Sequence, residues 1–223
     1  RVHSRSYHYH PQLFLILKFS NGKENAEITF VNLKIRHFLL GMICFTHCFA
    51  QSSSLVSPTA PKNLIPVPIV RQATNYSCGP AALLSVLYYW KASTEAESTL
   101  YPLLQTDPVS GTHPVAIANY ARSLGLKTEL KTKVSLTEIE KAIDRQEPVL
   151  VDYQAWGTEI EKVDYSSVWE SGHYGVVIGY DSKYLYLMDP VLSSSYGKLE
   201  RGDFLKRWHD YETRNGKTEY YIQ

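Results

Sequence analysis

From residue 80 onward, apolar and polar positions fall into short blocks of helical or strand periodicity. Pro80 to Trp90 is almost entirely apolar and predicts a helix, with Pro tolerated in its first turn because the missing N–H is not needed there. Residues 94–105 read as a second helix. Val115, Ile117, Ala118, Ala121 and Leu124 form a helical stripe over Thr112 to Leu124, and Gly125 ends it. Lys127 to Thr132 alternates and predicts a strand. Ser135 and Glu138 have capping-box spacing and open a helix through Arg145. Val149 to Tyr153 is a short apolar run and reads as a buried strand. After a polar, aromatic excursion over 155–171, His173 to Tyr180 and Tyr184 to Met188 read as two strands joined by a turn at 181–183. Asp203 to Trp208 reads as a short helix and Thr218 to Ile222 as a last strand. Helices first and antiparallel strands afterwards predict an α+β fold rather than an alternating βαβ one.

The N-terminal part reads differently. Pro66 to Val70 is a short extended entry, and Pro68 keeps it out of a central strand. Residues 51–65 are rich in Ser and Pro and read as a linker. Lys34 and Arg36 precede the apolar run Phe38 to Phe45, and Cys48-Phe49-Ala50 follows with small residues at both ends. That is the pattern of a signal peptide over 33–50, cut after Ala50, with a core too short to span a bilayer. Residues 1–32 are expected to be unstructured or a mis-assigned upstream segment. The chain begins with Arg, and Leu33 or a neighbour is the expected start; a strand over Glu27 to Leu33 is the alternative. The remainder, 66–223, then reads as one domain.

Composition narrows the class. With 223 residues, 44% hydrophobic and 20% charged, the chain is an ordinary globular one. A net charge of +1 offers no electrostatic argument for nucleic acid or anionic membrane. The 17 tyrosines suit strands and core packing better than a stacking surface. Of the three cysteines, Cys44 and Cys48 lie in the signal-like run. Cleavage would leave Cys78 alone, unable to form an internal disulfide in a compartment where thiols oxidise readily. A thiol kept there is expected to be used; the alternative is an inert buried cysteine.

The chemistry follows from position. Cys78 stands at the mouth of the first predicted helix, where partial positive charge favours an anion. The thiolate is the nucleophilic form. His173 opens a strand, and Asp189 ends the next one. If those strands form a hairpin, their far ends meet and Asp189 can orient the imidazole. Asp189-Pro190 also suits a plain turn. Gln72, six residues ahead of Cys78, can add an amide donor for an oxyanion. His113 and His209 are expected to be structural. No paired Cys or H-E-x-x-H spacing points to zinc, and no metal or organic cofactor is expected.

Taken together, Tyr76-Ser77-Cys78-Gly79-Pro80-Ala81-Ala82 with Gln72 upstream, Gly172 to Tyr180, and Met188-Asp189-Pro190 resemble the bacteriocin-processing cysteine peptidase family, in its stand-alone branch. The likeness covers about residues 66–210. It implies a papain-like fold, N-terminal helices packed on a C-terminal antiparallel sheet, and catalytic positions Cys78, His173, Asp189 and Gln72. Transporter-fused members cut after a double glycine and carry membrane and ATPase domains; these 223 residues show neither, so that specificity is not carried over. The expectation is an exported, monomeric thiol peptidase acting on a peptide or protein, with no nucleic-acid partner and no integral membrane domain. An acyltransferase and a silent peptide-binding module are the alternatives.

Overall fold

The structure, a computed structural model, describes residues 16–21, 61, 64–131, 133–156, 163–214 and 217–222. In chain order the elements are β1 (Ile16–Asn21), α1 (Cys78–Tyr89), α2 (Glu97–Leu103), α3 (Pro114–Ser123), β2 (Leu126–Lys131), α4 (Leu136–Asp144), β3 (Val149–Gln154), β4 (Gly172–Tyr180), β5 (Tyr184–Met188), β6 (Gly197–Glu200), α5 (Arg201–Arg207), β7 (His209–Arg214) and β8 (Lys217–Ile222). One sheet has the order β2-β1-β3-β4-β5-β6, and β7 pairs with β8 in a second. All the pairings are antiparallel, which makes the fold α+β as its element order predicts.

Each predicted element forms within a few residues of its expected ends. α1 is apolar around its whole circumference, and Gly79 through Leu87 are buried, because it runs through the middle of the domain and packs on β4. α4 opens on the expected capping box of Ser135 and Glu138. The β4–β5 hairpin closes on Asp181, whose Oδ1 accepts the N–H groups of Lys183 and Tyr184, each at 2.7 Å. A single core joins Leu83, Leu84 and Leu87 of α1 to Val149, Val151, Val176 and Ile178 of the sheet. Burying each such side chain contributes about 1.5–3 kcal/mol relative to exposure.

Three strands were not expected. β6 and β7 are short polar runs whose pairing comes from neighbours far away in sequence. β1 falls within residues 1–32, the segment expected to be unstructured or mis-assigned: Ile16–Asn21 lies between β2 and β3, with Ile16 opposite both Lys131 and Val151. The backbone edges of β2 and β3 need a partner, and a strand between them supplies one to each. The alternative strand over residues 27–33, the signal-like run 33–50 and most of the 51–65 linker lie outside the described residues. The linker ends earlier than expected: Ile65 is fully buried, and its N–H donates to the Ile178 carbonyl at 2.7 Å.

Candidate active site

The site is assembled where α1 begins and where β4 and β5 meet. α1 starts at Cys78 itself, after Ser77, and no side chain caps it. The Ser77 hydroxyl instead accepts from the Thr74 N–H at 3.1 Å and ties the preceding loop to itself. The open N-terminal end of a long buried helix therefore faces the half-buried sulfur. Gly79 is required beside it: a Cβ there would stand 2.8 Å from the Thr112 Cβ.

His173, on β4, is 1% exposed and pairs opposite Tyr153 of β3. Its Nε2 donates to Asp189 Oδ1 at 2.8 Å. That bond selects the tautomer and leaves the other ring nitrogen toward Cys78, the second hydrogen-bond partner of the ring. Asp189 is held from three directions. Its Oδ1 also accepts from the Val191 N–H at 2.9 Å, and its Oδ2 accepts from the Tyr153 hydroxyl at 3.0 Å. Burial opposes charge on His173, yet Asp189 and Cys78 more than offset it and raise its pKa from 6.5 to about 9. Burial likewise works against the Asp189 carboxylate, but the bonds from His173, Val191 and Tyr153 hold its pKa below the ordinary value. Burial and the Asp189 charge push the Tyr153 phenol well above its usual range, so it remains a donor.

The structure thus brings Cys78, His173 and Asp189 together. Gln72 stands on the loop leading into Cys78, and its backbone N–H donates to Pro190 O at 2.9 Å, next to Asp189. Its side-chain amide donates to Thr74 O at 2.7 Å. One N–H of that amide is thereby used, and the second remains. Of the two histidines expected to be structural, His113 caps α3 by accepting from the Val115 N–H at 3.2 Å, and His209 donates to Val168 O at 2.6 Å. Among the described residues no group of three or more His, Cys, Asp or Glu is placed to hold a metal ion. No helix among them is long and apolar enough to cross a membrane.

A family model described as the Peptidase_C39 like family matches residues 64–215. The chain belongs to that family. Its members supply the fold as well: the peptidase domain of Streptococcus ComA, a bifunctional ABC transporter of a quorum-sensing pathway, is 24% identical, with a TM-score of 0.50 over 70% of this chain and 99% of that one. A protein described as a C39-like peptidase from Bacillus anthracis is 19% identical over 67% of this chain and 92% of its own, with a TM-score of 0.49. A double-glycine-motif protease from an AMS/PCAT transporter, solved with its leader peptide, is 18% identical over 73% and 96%, with a TM-score of 0.45. No curated protein matches the sequence. Family membership and fold together place the chain among peptidases of the cysteine type.

Two residues at this site of a C39-like chain escape sequence reasoning. Tyr153 looks like one more apolar position of a buried strand, and its hydroxyl matters only because β3 pairs with β4. Trp156 packs against the His173 ring at a tilt, with centroids 4.8 Å apart, from a segment with no periodicity of its own. The glycines beside His173 admit side chains where backbone was expected. The Tyr153 ring packs over Gly175, and the Asp210 carboxylate lies against Gly172 so closely that any Cβ would collide with it.

Tyr153→Phe tests the carboxylate clamp. It should cost about 1.5–3 kcal/mol in urea denaturation at neutral pH, the usual range for a bond to a charged group. Asp189 has a depressed pKa, so its ionic bonds stabilise above the unfolded carboxylate value and are lost as pH falls through the folded one. The gap between variant and wild type should therefore shrink on acidification. A pH-independent gap would separate Tyr153 from Asp189.

Proposed function

We propose that the protein is a thiol peptidase that hydrolyses peptide or isopeptide bonds through Cys78, His173 and Asp189, with Gln72 in the oxyanion hole. The observation that carries this is the chain of contacts from Cys78 through the buried His173 ring to Asp189. The Cys78 thiolate attacks the scissile carbonyl carbon, and the C=O electron pair moves to oxygen. The Cys78 N–H and the second Gln72 amide N–H meet that oxyanion. As the tetrahedral species collapses, His173 gives its proton to the departing amine and an S-acyl enzyme remains. Neutral His173 then takes a proton from water as it attacks the thioester, the acid product leaves, and the thiolate–imidazolium pair returns. Asp189 keeps Nε2 bonded throughout and transfers no proton.

The test is incubation with a thiol-directed peptidyl inhibitor, followed by intact mass and peptide mapping. A single adduct on Cys78, slowed when an excess of competing peptide substrate is present during labelling, supports the reading. An adduct without any peptide cleavage points to a binding module. Capture of the acyl group by an added amine in preference to water points to a transferase.

The proposal includes export after cleavage at Ala50, which rests on the basic-then-apolar run over 34–50. β1 lies upstream of that cut, so export and a covalently attached β1 exclude each other. N-terminal sequencing of protein recovered outside the cytoplasm should begin at Gln51. Recovery of only the uncut chain in the cytoplasm would sink the export reading.

A further inference from the structure

Cys78 opens into a cavity of about 570 Å³ whose described lining includes three carboxylates, Asp152, Glu170 and Asp210, and no Lys, Arg or His. Trp156 and Trp169 supply aromatic wall. Trp156 also lines a second, smaller cavity, whose charge is mixed: Asp189, Lys198 and Arg207 all belong to its lining. Only the Cys78 side carries charge of a single sign among its described lining residues.

Two of the acids on the Cys78 side, Asp152 and Asp210, are held by hydrogen bonds. Asp210 Oδ1 accepts from the Tyr211 N–H at 2.8 Å and from Gln154 Nε2 at 3.1 Å. Gln154 is fully buried and is itself fixed, donating to His209 O at 3.0 Å and accepting from the Ser171 N–H at 2.9 Å. Asp152, on β3, is hydrogen-bonded to Asp210. Burial, first of all, raises the Asp210 pKa, and the hydrogen bonds from Asp152, Tyr211 and Gln154 work against that rise. The nearby basic groups are committed elsewhere: His209 bonds Val168 O, and Arg207 bonds Asp203 and the Ala155 carbonyl. A cleft of one charge sign with aromatic walls suits an organic cation.

We infer that this cavity is the specificity pocket of the enzyme and takes a cationic group of the peptide, an ammonium or guanidinium, close to the scissile bond. The inference rests on the peptidase reading, and its first test does not need activity. The rates at which Cys78 reacts with a trimethylammonium methanethiosulfonate and with its sulfonate counterpart are compared, site by site, by peptide mass. The cationic-to-anionic rate ratio should fall roughly tenfold or more in Asp210→Asn, at the lower end of what a one-signed cleft produces. Glu170→Gln, at an exposed position that does not risk the fold, should lower it in the same direction. An unchanged ratio in both folded variants overturns the inference and makes the acid pair a structural device only.

The second test is cleavage-site profiling on a peptide mixture, N-acetylated in one arm and free in the other. Enrichment of Lys or Arg at a fixed distance from the cut in both arms, reduced in Glu170→Gln, supports a side-chain cation. Cutting confined to the free arm assigns the N-terminal ammonium. Cleavage without any basic preference overturns the pocket but not the peptidase. Absence of cleavage with the charge ratio intact overturns the peptidase and leaves the cation pocket standing.

Discussion

Cys78→Ala and Cys78→Ser are expected to abolish peptide cleavage, by on the order of 10⁴-fold or more, without unfolding the protein. The sulfur is half-buried at a helix mouth, so shortening it removes little packing. A hydroxyl is far less acidic than a thiol and gains little from the imidazole. His173→Ala should be as severe for turnover but leave a sulfur that still reacts, more slowly at neutral pH, with iodoacetamide. The pair is held by His173, whose pKa is raised to about 9. Its stabilisation is complete below the unfolded histidine value near ~6.5 and is lost as pH rises through the folded one. Wild-type alkylation should therefore begin at lower pH than in His173→Ala, and the activity should fall on a basic limb near 9. Superimposable alkylation profiles would show that His173 does not activate Cys78. The binding-module reading would then be the better one.

Gln72→Ala is expected to lower kcat by roughly 10²–10³, the effect of losing one oxyanion donor, while alkylation of Cys78 proceeds at the wild-type rate. The separation matters. Gln72 touches the Thr74 carbonyl and, through its backbone, Pro190, so its loss leaves the His173–Asp189 bond in place. The effect should appear in kcat with KM little changed, because the developing oxyanion exists only in the transition state. Equal turnover in mutant and wild type would remove Gln72 from the oxyanion hole. Loss of alkylation together with turnover would instead make it a strut for the Cys78 loop.

Much of this was legible in advance because the relevant signals are local. The capping box at Ser135, the apolar run after Cys78 and the turn residues at 181–183 each act within a few positions, where chain connectivity keeps sequence and space aligned. One longer-range contact is local in the same sense. Two strands joined by a tight turn must bring His173 near Asp189, and the structure sets them 2.8 Å apart. The Gln72 spacing carried less far, since six residues of loop do not dictate where an amide points.

What the sequence determined by itself is the element order, the α+β class and the placement of a thiol, an imidazole and a carboxylate at element ends. Tertiary structure alone decided what surrounds them. Tyr153 reaches Asp189 across 36 positions of sequence, and Gln154 reaches Asp210 across 56. β1 comes from an apolar run, Leu13 to Leu17 with Phe19, that reading residues 1–32 as unstructured or mis-assigned passes over; which strands it joins depends on available edges and not on neighbours along the chain. The same reason hides the acid-lined cavity. Asp152, Glu170 and Asp210 are scattered ordinary surface-type residues until β3, β4 and β7 are packed together. Only then do the three carboxyl groups line one cavity beside Cys78.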